Sequence, residues 1–351
     1  MFINQMHKLF TSVRNAVKRL LLVIFSLALL MTVPQAPVLA ASGTCALQSI
    51  TDFGETQIDM VADEMASASA TVEYSCSSPQ KYDVIRFCSY IQPLQADLSK
   101  KYSGRFYQTR HDNARLAWKM QLKDNETRVL TDWREAGATA GWVHYVSTWS
   151  PSAPATVASK QLMLSYLNRQ QQDHVRAGHY NTSYQLVTRY KFGQQLNGDC
   201  DNGMADADGT IISHFNVSAS VLKNCQLENF LDIDFGKKDA LALGLGDKSI
   251  RAYGNIGIRC TEQTPYTISI NKGSNVRQDV AHMKSNNDLL PYRLLQPGCK
   301  LEWNDKSTLS GTGNMVNMID NYQVCAELLA KQGQMPAAGS YADTVIVTAT
   351  F

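Results

Sequence analysis

The feature that most restricts this chain is an internal duplication, seen in three places that keep one order. The stretch CALQSITDFG begins at Cys45, and CQLENFLDIDFG begins at Cys225; each runs from a cysteine to Phe-Gly. ATVEYSC then ends at Cys76, and AYGNIGIRC ends at Cys260. Last, AGHYNTSYQLVTRY ends at Tyr190 and AGSYADTVIVTATF ends at Phe351, so that Gly178 matches Gly339 and Tyr180 matches Tyr341. A chain built this way folds as two copies of one unit, each long enough to bury its own core.

Within each copy apolar residues alternate with polar ones, as in Tyr266-Thr-Ile268-Ser-Ile270 and Val345-Ile-Val347-Thr-Ala349-Thr-Phe351, and Gly, Asn, Asp and Pro separate the runs. A period of two is the pattern of half-buried strands. Helical periodicity is nearly absent; ELLAKQ around Leu328 is compatible with a single turn. The expected fold is all-β: two tandem Ig-like antiparallel β-sandwich domains.

Residues 1–40 carry Lys8, Arg14, Lys18 and Arg19, then the apolar run LLLVIFSLALLM, then Val38-Leu39-Ala40. That order is an export signal cleaved near Ala40, and the apolar run is shorter than the roughly 20 residues a membrane-spanning helix needs. The domains are expected at 41–209 and 210–351. The whole chain has 33 basic and 31 acidic residues, and losing the basic leader leaves a nearly neutral mature protein. No basic field is left to hold nucleic acid.

All eight cysteines follow the leader, at Cys45, Cys76, Cys88, Cys200, Cys225, Cys260, Cys299 and Cys325, four in each half. An even number in an exported chain reads as a disulfide framework. Each half alone allows three pairings. The duplication selects one, with Cys45 to Cys76 and Cys225 to Cys260 as equivalent bridges, and Cys88 to Cys200 and Cys299 to Cys325 as the remaining pairs.

No C-x-x-C or zinc-ligand spacing occurs, so no metal or cofactor is expected. In CDNGMADADG after Cys200, an EF-hand reading from Asp201 would place Ile212 where glutamate is required. Enzyme readings have no support either: Ser165 and Ser183 lack a nucleophile-elbow context, and no catalytic constellation stands out.

Between the copies, Ile211, Phe215, Val217, Ala219 and Val221 share one face of an alternating run, with Thr210, His214, Asn216, Ser218 and Ser220 on the other. This donor-like linker is expected to complete the first domain in cis as its final strand; the alternative is that it is the first strand of the second. Aromatic residues concentrate elsewhere: Trp133, Trp142, Tyr145 and Trp149 fall in a stretch read as an inserted loop running into Pro151 and Pro154. Exposed there, they would form an adhesive surface, whereas Trp118 on an alternating strand reads as core.

The second copy resembles the spore coat U domain family, which includes the pilins of archaic, Csu-type chaperone-usher pili. The resemblance rests on Cys225 with Phe235-Gly236, IRCT around Cys260 followed by PYTISINKG, LLPYRLL around Tyr292, and the closing AGSYADTVIVTATF. The first copy matches more loosely, through Cys45, Phe53-Gly54, Cys76, Trp118 in the position of Tyr292, and Gly178-His-Tyr180.

A pilin of this kind is an Ig-like fold lacking its last strand, and the resemblance implies that Val345, Val347, Ala349 and Phe351 border the open place. It further implies a tip adhesin carried through the periplasm to the cell surface. Its partners would be a periplasmic pilus chaperone, an outer-membrane usher, an adjacent pilus subunit, and an abiotic or host surface colonised as biofilm. Only Ala41-Ser-Gly-Thr stand between the expected cleavage and Cys45, so the chain is expected to accept a strand and to donate none. A secreted structural coat or matrix protein and a sugar-binding lectin are the alternative readings.

Overall fold

The alternating runs become strands. A computed structural model describes residues 43–62, 66–78, 82–94, 107–111, 114–123, 125–130, 143–148, 156–167, 170, 172, 174–193, 200, 204–244, 250–329 and 335–351. The expected leader and its expected cleavage site lie outside the described residues.

The first half forms β1 (Thr44–Ile50), β2 (Glu55–Ile58), β3 (Ser67–Ser77), β4 (Val84–Pro93), β5 (Tyr107–His111), β6 (Ala114–Leu122), β7 (Asn125–Val129), β8 (Val143–Thr148), β9 (Thr156–Tyr166), β10 (Gly178–Gly193) and β11 (Gly209–Val221). The second forms β12 (Cys225–Leu231), the short helix α1 (Ala240–Gly244), β13 (Arg251–Cys260), β14 (Pro265–Ile270), β15 (Val276–Arg277), β16 (Val280–Ser285), β17 (Asp288–Leu295), β18 (Leu309–Thr312), β19 (Asp320–Leu328) and β20 (Val347–Thr350).

Four sheets result. Their orders are β1-β3-β9-β6-β5 with β7 on β6, β2-β11-β10-β4-β8, β12-β13-β19-β17-β16-β15, and β18-β14-β20. One core lies between the first two sheets, where Tyr74, Trp118 and Leu164 meet Tyr184, Leu186 and Phe215. Another lies between the last two, where Ile256, Tyr292 and Val324 meet Tyr266, Ile268 and Ile270. The protein is all-β, with two Ig-like antiparallel sandwiches in tandem.

The duplication is visible strand by strand. β1-β3-β9-β6-β5 and β12-β13-β19-β17-β16 have the same order, with Trp118 on β6 where β17 carries Tyr292. Cys45 lies directly opposite Cys76, and Cys225 opposite Cys260; both pairs are bridged, with Cα atoms 4.0 and 4.1 Å apart. Cys88–Cys200 and Cys299–Cys325 are the other two bridges. The Phe-Gly pairs also repeat a turn: Gly54 (φ 72°) and Gly236 (φ 65°) adopt the left-handed conformation that glycine alone reaches without strain. The preceding Asp52 and Asp234 accept their amide hydrogens at 3.4 and 2.7 Å.

Two sequence readings change. Residues 143–148 are not loop but the edge strand β8, paired with β4 from Val143↔Ser89 to Thr148↔Val84. Val143, Tyr145, Val146 and Thr148 are strand-favouring residues, and β4 supplies them a free edge. Leu328 ends a strand rather than sitting in a helical turn, because pairing of β19 with β13 and β17 buries residues 324–328. The linker, expected to complete the first domain, lies in the second sheet against β10, with Ile211, Phe215, Val217, Ala219 and Val221 in the first core.

Candidate strand-acceptor groove

In the first sandwich, β10 is paired on both edges, to β4 and to β11. Its inward residues Tyr180, Thr182, Tyr184, Leu186 and Thr188 are all buried. The matching residues of the second sandwich are Tyr341, Asp343, Val345, Val347 and Ala349, and every one is only half-buried. β20 pairs with β14, through Val347↔Ile270 to Thr350↔Thr267. Among the described residues, no strand pairs with its other edge. Phe351, matched to the buried Tyr190, is 52% exposed.

Along that edge runs a cleft of about 790 Å³. One rim is residues 341–347, the other is the end of β12 and the residues after it, and core side chains such as Ile256, Tyr292 and Val324 form the floor. Phe230 and Leu231 on the β12 rim are 59% and 65% exposed. An apolar trough between two unpaired strand edges invites an added strand, because both the backbone groups and the apolar side chains gain partners from it.

The rims are held in place without such a strand. Asp343 accepts a hydrogen bond from the Tyr292 hydroxyl at 2.7 Å through Oδ2, and from Ser274 N (3.1 Å) and Asn275 Nδ2 (2.9 Å) through Oδ1. Gly273 lets the backbone pass close beside it, since a Cβ there would lie 1.9 Å from Asp343 Oδ2. Burial, with the Asp343 carboxylate as a second cause, pushes the Tyr292 phenol far above its ordinary value. On the other rim, Arg259 holds Glu228 of β12 through two hydrogen bonds of 2.9 and 3.1 Å.

Val345 and Val347 thus lie on the groove rim, Ala349 packs partly buried against the same core, and Ile211, Phe215, Val217, Ala219 and Val221 lie on the strand filling the corresponding place in the first sandwich. Tyr145 lies on β8 in register with Phe87, whereas Trp133, Trp142 and Trp149 lie outside the described residues. Among the described residues, no cluster of His, Cys, Asp or Glu could hold a metal ion. Asp343 and the exposed Phe230–Leu231 pair escaped the sequence reading. The signal for Asp343 was there: it is one acidic residue on the inward face of an otherwise apolar alternation.

These features define an all-β protein of two tandem sandwiches; among the described residues β10 is paired on both edges and β20 on one. Residues 211–348 match the model of the Spore Coat Protein U domain.

Three solved structures are similar over most of their length. One is the CsuC–CsuE chaperone-tip adhesion subunit pre-assembly complex from archaic chaperone-usher Csu pili of Acinetobacter baumannii, at 16% identity, 88% of this chain, 100% of that chain and a TM-score of 0.49. Another is the CupB6 tip adhesin from Pseudomonas aeruginosa, at 11% identity, 89% and 94% coverage and a TM-score of 0.35. The third is CfaE, the adhesive subunit of CFA/I fimbria of enterotoxigenic Escherichia coli, at 11% identity, 85% and 93% coverage and a TM-score of 0.30. No curated protein matches the sequence.

Proposed function

We propose that this chain is the tip adhesin subunit of an archaic chaperone-usher pilus, mediating surface attachment and biofilm formation without catalysis. The observation that carries the reading is the contrast between β10, whose inward residues are buried under β11, and the 341–349 segment, whose equivalent residues stay half-exposed beside an apolar cleft. In this reading a periplasmic chaperone fills the cleft first, and an adjacent subunit's strand replaces it at the outer-membrane usher. The first domain needs no such partner, since β11 completes it in cis. The domain boundary therefore falls between Val221 and Cys225.

Attachment falls to the first domain and to Trp133, Trp142, Tyr145 and Trp149, as aromatic side chains give large contact area with few rotors to immobilise. Many such tips would add avidity. The test is a pilus carrying Trp142→Ser, Tyr145→Ser and Trp149→Ser together, with Trp142→Ser/Trp149→Ser alone as the variant that spares β8. Attachment to hydrophobic plastic should fall to background in both while piliation, seen by electron microscopy, stays normal. Wild-type attachment in both would sink the assignment. Co-expression with the chaperone of the same pilus should recover the chain from the periplasm, and equal recovery without it would argue against the open groove.

A further inference from the structure

The covalent path from the second domain into the first runs through β11. Only Leu222, Lys223 and Asn224 separate β11 from β12, and β12 is stapled at its first residue by Cys225–Cys260. The connector is hydrogen-bonded on both sides: Leu222 N donates to Ile58 O (2.9 Å), Thr261 Oγ1 to Leu222 O (3.0 Å), and Asn224 Nδ2 to Asp59 Oδ2 (2.6 Å). Val316 of the second domain is buried in the first core.

From the junction, β11 runs the length of the second sheet in unbroken register with β10, from Val221↔Gly178 to Gly209↔Tyr190. The far end of that sheet is where Gly193 meets Val84 and Val84 meets Thr148.

Beyond the far end of β11, the chain returns over the outer face of the same sheet. Asp208 N donates to Tyr190 O (2.9 Å), Asp208 Oδ2 accepts from Phe192 N (2.8 Å), and Lys191 pairs with Asp206. Met204, 1% exposed, packs with Tyr90, Val187 and the Cys88–Cys200 bridge, and its sulfur accepts from Arg86 Nε at 3.2 Å. Cys88 sits on β4, between β10 and the edge strand β8.

We propose that β11 is a load-bearing strand held in shear, and that the Cys88–Cys200 bridge is a strap that limits what the first domain yields when β11 slips. The inference rests on the tip reading, in which the shaft pulls on the second domain while the first is held by a surface. In an antiparallel pair the hydrogen bonds lie across the strand axis, so a pull along β11 loads all of them together, whereas a pull from the side breaks them one after another.

If β11 does slide out, only the roughly twenty residues between Val221 and Cys200, about 70 Å of extended chain, are released before the load reaches Cys88 on β4. The load then bypasses β10. The segment of sequence separation 112 inside the bridge stays out of the path, and β11 can return to its place.

The test stretches single exported chains between a C-terminal handle and an azide-bearing residue introduced at exposed Asp83, at the far end of the sheet. A short, reversible first step of about 70 Å or less is expected, and Cys88→Ser/Cys200→Ser should lose it and extend through β10 in one long step. Steps from the second domain are recognised by the lengths hidden behind its own two bridges.

A second geometry covers the case in which the double variant fails to fold. Moving the handle from Asp83 to exposed Asn181, opposite Ser218 near the junction, should lower the force at which β11 leaves by two-fold or more. Equal forces from Asp83 and Asn181, or a bridged chain whose first domain opens in a single long step, would overturn the proposal. Because the measurement needs neither pilus nor surface, its failure leaves the tip reading standing, and failure of piliation or attachment leaves the mechanical result standing.

Discussion

Tyr184 of β10 and Phe215 of β11 face each other across the strand pair with their rings stacked, centroids 5.9 Å apart and planes at 21°. Phe53 meets Phe215 edge-on at 5.9 Å, closing an aromatic wall over the first core. In the second domain Val345 stands where Tyr184 stands in the first. Across from it lies the open cleft instead of a ring. One position, filled in one copy and open in the other, is the difference on which the functional reading rests.

Phe215→Asp should therefore unfold the first domain selectively. The side chain is 7% exposed and touches two aromatic rings. Its loss costs about 3–5 kcal/mol, and a buried carboxylate adds to that. Calorimetry of the full chain should show the first domain's transition lost or strongly lowered while that of the second stays close to its wild-type temperature. Equal losses in both transitions would mean that β11 does not belong to the first core alone.

Alkaline conditions should destabilise both domains. Burial, the largest cause, pushes the Tyr180 phenol up to about 12 from an ordinary 10.0. Tyr166, Tyr266 and Tyr292 are driven further in the same direction, again chiefly by burial. The unfolded chain loses these protons near pH 10 while the folded chain keeps them, so the stability they contribute is complete below pH 10 and falls as pH rises toward 12. Tyrosinate absorbance should accordingly rise in two stages, exposed tyrosines first and the buried set only as the far-ultraviolet signal of the strands disappears.

Much of this architecture could be read before the fold was known, and the reason is locality. Alternation, the repeated Phe53-Gly54 and Phe235-Gly236 pairs, and the inward set from Ile211 to Val221 are all short-range patterns, and duplication gave the first two a second witness. What stayed hidden depends on register between distant strands. Glu327 is 5% exposed yet pairs with Arg251 and Arg293 because β19 lies between β13 and β17. Nor does any spacing rule show that Val316 plugs the first core from the second domain. β8 was misread because prolines follow it, although its own residues favour a strand whenever an edge such as β4 is available.

Asp343→Ala should loosen the groove rim. The change removes the acceptor of Tyr292 Oη, Ser274 N and Asn275 Nδ2, and leaves a buried phenol without its partner, a loss of about 1–3 kcal/mol. The second domain's melting temperature should fall, with faster amide exchange in residues 271–275. Because Asp343 also contributes to raising the Tyr292 phenol, that tyrosine should titrate at lower pH in the variant. An unchanged titration would show that the hydrogen bond does not persist in solution.

The central claim is that the second domain lacks one strand beside β20, and amide exchange across a strand-grafted chain tests it most directly. The sequence of β11, residues 209–221, is appended after Phe351 through a short glycine-rich turn, so that it can run antiparallel to β20 as β11 runs against β10. A control graft carries aspartate at the positions copied from Phe215 and Val217. The account predicts that residues 345–350 exchange faster in the unmodified chain than residues 184–189 of β10, and become protected in the graft with a higher melting temperature for the second domain. The control should change neither. If the unmodified chain already protects 345–350 as strongly as 184–189, and the graft moves neither exchange nor melting, the second domain is complete as it stands and the account is wrong.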